Sequence, residues 1–403
     1  MARLAGSFWV LTLIAQPALG QEQAAAPAAV PIQSRAEAYA QDAIAYAQRY
    51  RVAPEEAAVR LRALQASAVV TDRLRLDHRE RLVGISIDHQ PSLRIIVLLA
   101  GDAAVADSSI IVEGMTIPVM FRTGAKATGD EVIRAMLQQG PELVALLRRS
   151  RGMGLDQRSG ELVMLIAAAD AARVDLEALR RKAEALAGVK MRFELADRVG
   201  NMALAGGARI VGTHSLDGRR YACTTGFAVT DGMRTGIATA AHCPDEVTYQ
   251  DPAGGTIPLP FVAQWGARTQ DVQVNAGPGG QQPLFYADRR VGALRTLAGA
   301  RSRLSTRAGE WLCHYGESSG YSCAEVELTQ FAPPGLLCGG VCAPTWISVR
   351  TNDCRSGDSG GPVFSGDIAF GITKGGSGGR NRQCNFYFYM STDFLPAGWR
   401  LLL

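Results

Sequence analysis

The sequence predicts two folds in one chain, an α+β region followed by an all-β double barrel, and three observations carry this prediction. All eight cysteines (Cys223, Cys243, Cys313, Cys323, Cys338, Cys342, Cys354 and Cys384) lie in its second half. Helical periodicity ends near Gly206-Gly207, and glycines multiply beyond it. Short apolar segments then recur between turn signals, the pattern of a barrel or sandwich. The roughly 195 residues involved fit a double barrel better than one small sandwich.

Upstream, residues 35–50 place apolar or small side chains at helical spacing. Pro54-Glu55-Glu56 opens a second helix through Leu64, with proline and acids where a helix N-terminus favours them. Residues 82–87 and 93–99 are aliphatic runs that read as a strand pair, and 117–121 reads as a further strand. A helix follows over 130–147, then a turn at 155–160, a strand at 162–168, an amphipathic helix at 174–187 and a closing strand at 189–195. This interleaving describes a compact α+β unit. His78 and His89 sit among charged and turn residues and read as solvated side chains. Beyond Gly207 the strand candidates are 226–229, 236–240, 257–262, 271–274, 324–328, 346–349, 369–373 and 386–390.

The first twenty residues read as an export signal: Arg3, an apolar run at 8–14, then Ala18-Leu19-Gly20. That run is too short to cross a bilayer, and no later stretch reaches the roughly 18 uninterrupted apolar residues a membrane helix needs. The expected organisation is a signal at 1–20, an Ala/Pro-rich tail at 21–35, an α+β domain at 36–200 and a β domain at 201–403. The expected location is secreted or periplasmic. A formal net charge of +4 with 20% charged residues supplies no argument for nucleic acid. An even cysteine count in an exported chain reads as four disulfides. Cys338-Gly-Gly-Val-Cys342 lacks a second pair or clustered histidines, so a local disulfide loop is favoured over a metal site, and no cofactor is expected.

Chemistry concentrates in Arg355-Ser-Gly-Asp-Ser-Gly-Gly-Pro362. Acyl transfer needs an exposed hydroxyl and backbone N–H groups aimed at the developing oxyanion. Ser359 supplies the hydroxyl, Gly357 and Ser359 supply the N–H groups, and Asp358 is placed to anchor the turn from inside. A serine hydroxyl is not ionised at neutral pH, so a base must lie elsewhere. Thr239-Ala-Ala-His-Cys243 offers His242; His214 and His314 lack such a context. The carboxylate that orients the base is assigned to Asp271, which opens a strand, ahead of Asp245 and Asp251, which would have to share the histidine loop.

The order His, Asp, Ser, with Ala-Ala-His-Cys and Gly-Asp-Ser-Gly-Gly-Pro, resembles the chymotrypsin-fold serine proteases. Within that fold, Ile210-Val-Gly close before Cys223, the segment Cys313-His-Tyr-Gly-Glu-Ser-Ser-Gly-Tyr-Ser-Cys323 and Gly371-Ile-Thr-Lys-Gly-Gly-Ser-Gly378 resemble the bacterial α-lytic protease and streptogrisin group. Tyr50-Arg-Val-Ala-Pro-Glu-Glu and Gly160-Glu-Leu-Val-Met-Leu-Ile resemble that group's pro-regions. The resemblance implies a serine endopeptidase acting on proteins or peptides, whose pro-domain assists folding, inhibits the enzyme and is cut away.

The resemblance also implies disulfides Cys223–Cys243, Cys313–Cys323 and Cys354–Cys384, leaving Cys338–Cys342. It puts Asp353, Ser356, Lys374, Gly375 and Gly376 around the substrate, with the two glycines pairing to substrate backbone. Asp353 is read either at the base of the specificity pocket or as an outward loop residue. The aromatic run Phe386-Tyr-Phe-Tyr389 is read as narrowing that pocket. Lys374 departs from the family, which has a serine there touching the catalytic aspartate; the lysine is read either as over-stabilising the Asp271 anion or as pointing to solvent. Removal of the pro-domain is expected between Asn201 and Arg209, ahead of a cut at Arg209-Ile210 that would free an amino group for Asp358. The rival reading, a catalytically dead binding protein on the same fold, has Lys374 as its main support and the complete Ser, His and Asp set against it.

Overall fold

A computed structural model of the chain describes residues 32–146, 150–195, 199–201, 207–215, 217–250, 255–277, 281–288, 293–351, 353–377 and 384–403. The expected export signal at 1–20 and most of the tail at 21–35 lie outside these residues, as does Asp251.

The first helix, Arg35–Tyr50, begins at a reciprocal cap in which Ser34 Oγ and the Glu37 carboxylate satisfy each other's backbone N–H groups. Helices Pro54–Ala66 and Ala68–Asp77 follow. They cover a four-stranded sheet ordered Leu82–Asp88, Arg94–Ala100, Met115–Ala125, Ser108–Val112. Leu61, Leu64, Ile85, Val97 and Val119 are buried between the layers. A second unit packs helices Gly129–Leu146 and Leu176–Ala187 on strands Ser150–Asp156, Glu161–Ile166 and Met191–Leu195.

The rest is β. The first barrel is built from two sheets, one of strands Arg209–Thr213, Arg220–Thr224, Val247–Gln250 and Thr256–Leu259, the other of Phe261–Gly266, Asp271–Ala276, Thr235–Thr239, Ala228–Thr230 and Arg400–Leu401. The second closes on itself in the order Trp311–Gly316, Pro362–Ser365, Ile368–Ser377, Phe386–Ser391, Trp346–Arg350, Gly320–Ala332, with the last strand pairing back to the first. Closure leaves few free strand edges. All four expected disulfides are formed.

The α+β region is joined to the second barrel by a composite sheet, in which Phe331 pairs with Gly154 and Ala332 with Met153. At a second contact the Asp42 carboxylate accepts from both Arg295 Nη atoms at 3.0 and 3.2 Å, from Tyr321 Oη at 2.6 Å and from Gly366 N at 2.7 Å. A buried pair so fully hydrogen-bonded is costly to break on one side. His89, expected to be solvated, is instead buried here. Its Nε2 lies 2.7 Å from Gly309 O and its Nδ1 2.8 Å from Tyr46 Oη, under the stacked ring of Tyr50. The correction has a clear cause, since the barrel residues that cover His89 are remote in sequence.

Further differences concern strands. Residues 257–262 form two strands broken around Pro260, and strand Ser150–Asp156 precedes the turn expected at 155–160. Ile210 lies buried in a strand paired with Cys223 and Tyr249.

Candidate active site

Strand Asp271–Ala276 builds one wall of the site through simple alternation. Val272 and Val274 enter the core, while Asp271, Gln273 and Asn275 face the loop that carries His242. Gln273 Nε2 donates to Pro244 O at 2.9 Å and Asn275 Nδ2 to Asp245 O at 2.7 Å, which clamps the loop just past the histidine. The Cys223–Cys243 disulfide and a hydrogen bond from Thr239 Oγ1 to Thr224 O fix the other side. Sequence reasoning did not single out Gln273 or Asn275, although the alternating Asp-Val-Gln-Val-Asn pattern carries the signal.

His242 Nδ1 is 2.7 Å from Asp271 Oδ2, and the His242 N–H donates to Asp271 Oδ1 at 3.2 Å. On the opposite edge of the ring, Nε2 is 2.8 Å from Ser359 Oγ. The chain thus brings together three residues from distant segments in a relay of short contacts. Asp245 contributes its backbone carbonyl to Asn275 instead. Burial alone would raise the Asp271 carboxyl, which is 4% exposed, but the charges of His242 and Lys374 hold it well below the usual carboxylate range.

Ser359 sits on a turn whose backbone demands glycine on both sides. Gly357 has φ +126°, and at Gly360 a Cβ would lie 2.1 Å from Thr239 Oγ1 and 2.3 Å from the Thr224 carbonyl. Asp358, fully buried, anchors the turn by accepting from Arg355 N at 2.8 Å, Ser319 N at 3.2 Å and Ser319 Oγ at 2.8 Å. Burial pushes its carboxyl up to about 6. His314 Nε2 lies 4.0 Å away, and burial pushes that imidazole down to about 4.

The remaining predicted site residues separate. Gly375 and Gly376 lie on strand Ile368–Ser377 and pair antiparallel with Asn201 and Gly200 of the short strand Val199–Asn201. Ser356 is exposed on the nucleophile turn. Asp353 is exposed and lines a cleft that Arg350 and Glu325 share. Lys374, placed around the substrate and read as either reaching Asp271 or pointing to solvent, turns inward: its Nζ is 3.1 Å from Asp271 Oδ2. The aromatic run is core as well, with Tyr387 and Tyr389 in one cluster and Phe388 against Trp346 and Phe331 in another.

No family model matches the chain. Among curated proteins it is 30% identical over 191 residues to Streptogrisin-C of Streptomyces griseus, covering 43% of this chain and 36% of that one. It is 28% identical over 241 residues to Streptogrisin-D of the same organism, covering 56% of this chain and 55% of that one. The chain therefore spans between about a third and just over half the length of these two relatives. Among solved structures, a Nocardiopsis protease aligns with 23% identity and a TM-score of 0.37, over 50% of this chain and 98% of that one. The chain resembles the streptogrisin group of bacterial chymotrypsin-fold serine proteases.

Proposed function

We propose that this streptogrisin-like chain is an exported serine endopeptidase, made as a pro-enzyme, that cuts peptide bonds through an acyl-enzyme on Ser359. The observation that carries the reading is the continuous relay from Asp271 through both ring nitrogens of His242 to Ser359 Oγ, at 2.7 and 2.8 Å. With Nδ1–H donating to Asp271, Nε2 is free to take the Ser359 proton as Oγ attacks the scissile carbonyl. The tetrahedral oxyanion then meets the N–H groups of Gly357 and Ser359. Collapse expels the amine, which receives the proton from His242, and water repeats the cycle to release the acid.

In this reading residues 36–200 are a pro-domain and 201–403 the catalytic domain. Val199–Asn201 lies antiparallel on Gly375–Ser377, where a substrate strand would pair, and Ser359 is 0% exposed in the intact chain. Such a segment acts as a tethered occupant of the groove. A cut at Arg209-Ile210 would have to open a buried strand, which favours release between Asn201 and Ala208. Most of that stretch, 202–206, lies outside the described residues. Among the described residues no helix is long and apolar enough to cross a membrane, and four disulfides suit an oxidising compartment.

A fluorophosphonate probe should label the expressed protein at Ser359 and leave Ser359→Ala unlabelled. Ester hydrolysis by Ser359→Ala should fall below a few thousandths of the unmodified rate, and that variant should accumulate uncleaved. A folded protein that stays unlabelled even after an added protease has removed the residues before 202 would instead support the inactive binding protein. N-terminal sequencing of the active species decides the boundary: a start between 202 and 208 supports the pro-enzyme, and an active species starting near Gln21 refutes it.

A further inference from the structure

Strand Ile368–Ser377 breaks register against Phe386–Ser391 between Thr373 and Gly375, which pair with Tyr389 and Phe388 in turn. Lys374 is the additional residue of this bulge, and a bulge re-aims the side chain it carries. The ammonium is consequently turned into the protein, where it is 3% exposed. It meets Asp271 Oδ2 at 3.1 Å on one side, and the Trp346 ring centroid lies 5.2 Å away. Oδ2 is the same oxygen that faces His242 Nδ1, so one carboxylate oxygen is shared between the imidazole and the lysine ammonium.

We propose that Lys374 is a positioning residue of the catalytic centre, which holds the Asp271 carboxylate and cancels its charge so that His242 stays available as a base in more acidic solution. The inference rests on the serine-protease reading above. Its physical content is a charge count. Asp271 with a neutral imidazole alone is a buried unit of charge −1, which favours taking up a proton; with Lys374 the same unit is neutral, and protonating the ring leaves a net cation in a closed site. The titratable groups that act most on Asp271 are His242 and Lys374. From the neighbouring strands Met390 Sδ, at 3.3 Å from the Asp271 N–H, and the Trp346 ring also face this cluster, and neither titrates. The same neutralisation lessens the help Asp271 gives to the imidazolium formed during attack, so acid tolerance is gained at some expense in maximal rate.

The test compares the full chain as expressed with Lys374→Met and Lys374→Ser. It reads the rate of Ser359 labelling by a small fluorophosphonate against pH, and kcat and KM for a chromogenic ester in the same preparations. Removing the cation should raise the acid midpoint of both profiles by about one pH unit or more, with KM unchanged. A uniform loss of rate with the midpoint fixed marks a merely structural lysine and overturns the inference. Lys374→Ser is smaller and keeps a hydrogen-bond donor toward Asp271, so it decides if the methionine variant fails to fold. If neither folds, the unmodified protein decides, because an acid midpoint at about pH 7 or above overturns the inference. Absence of any Ser359 labelling in the unmodified chain, also after an added protease has removed the residues before 202, sinks the protease reading itself and the inference with it. Labelling with unmoved midpoints sinks the inference alone.

Discussion

Two buried aspartates flank the candidate nucleophile, and they are held in opposite ways. Asp271, on the first barrel, is surrounded by charge: an imidazole and an ammonium bring its carboxyl well below the ordinary range in spite of burial. Asp358, beside Ser359 on the second barrel, is held by N–H groups and one hydroxyl, and burial carries it up to about 6. Equal burial therefore produces opposite electrostatics, decided by whether a cation lies within reach. Asp271 is built to be an anion, whereas Asp358 is built as an anchor, with its acceptor oxygens spent on shaping a turn.

The largest break in this contrast should come from Asp271→Asn. Loss of the carboxylate leaves the imidazole tautomer unfixed and strands Lys374 without its partner. A fall of roughly 10⁴ in kcat is expected, the size that the same exchange produces in related triads. Retention of more than a tenth of the rate in steady-state ester hydrolysis would move the role to another carboxylate. The variant should also melt at lower temperature, because a buried ammonium that loses its partner is expensive.

Asp358→Asn should be felt first in stability, since an amide cannot accept from both Arg355 N and Ser319 N without turning an NH₂ group toward one of them. A cost of about 1–3 kcal/mol is expected. Its pH dependence carries the sharper information. A carboxyl raised to about 6 in the folded state binds protons more tightly there than in the unfolded chain. The native Asp358 thus contributes less as pH rises from about 4 to about 6, and the cost of the asparagine variant should shrink over that window. Thermal melts across the window check the slope, and a growing cost would contradict it.

The smallest effect concerns His314. Its folded value, lowered to about 4, means that the unfolded chain takes up the proton first, so stability is lost as pH falls from about 6.5 towards 4. His314→Gln should remove that loss, and its melting temperature relative to the unmodified protein should rise as pH falls. The two variants, four ångströms apart in the native site, should therefore show pH slopes that identify which group is protonated in each interval. A flat difference for His314→Gln would indicate that the ring is charged in the folded protein.

Local sequence was a good guide wherever a short segment had only one way to meet its needs. The aliphatic runs at 82–87 and 93–99 became buried neighbouring strands, and Pro54-Glu55-Glu56 opened a helix because its proline and acids suit only that end. The glycines around Ser359 were legible for the same reason, since φ +126° at Gly357 and the crowded approach at Gly360 tolerate no side chain. Edge segments were harder. Ser150–Asp156 is glycine-interrupted, and in the sequence only its last two residues are read, as the start of a turn; it is a strand that pairs locally with Glu161–Ile166 and, from far along the chain, with Gly320–Ala332.

By itself, the sequence determined the order of the two folds, the cysteine framework and the identity of Ser359, His242 and Asp271 as the residues able to form a relay. Each of these depends on residue type or on local backbone requirements, which travel with the chain. The tertiary structure alone decided which way polar side chains face when several partners compete for them. It turned Lys374 through a bulge onto Asp271, left Asp353 in solvent, and sealed His89 between Tyr46 and the Gly309 carbonyl. The physical reason is common to all three: the free energy of a charge or an imidazole is set by burial and by the groups within a few ångströms, and those neighbours are brought there from remote segments only by the completed fold.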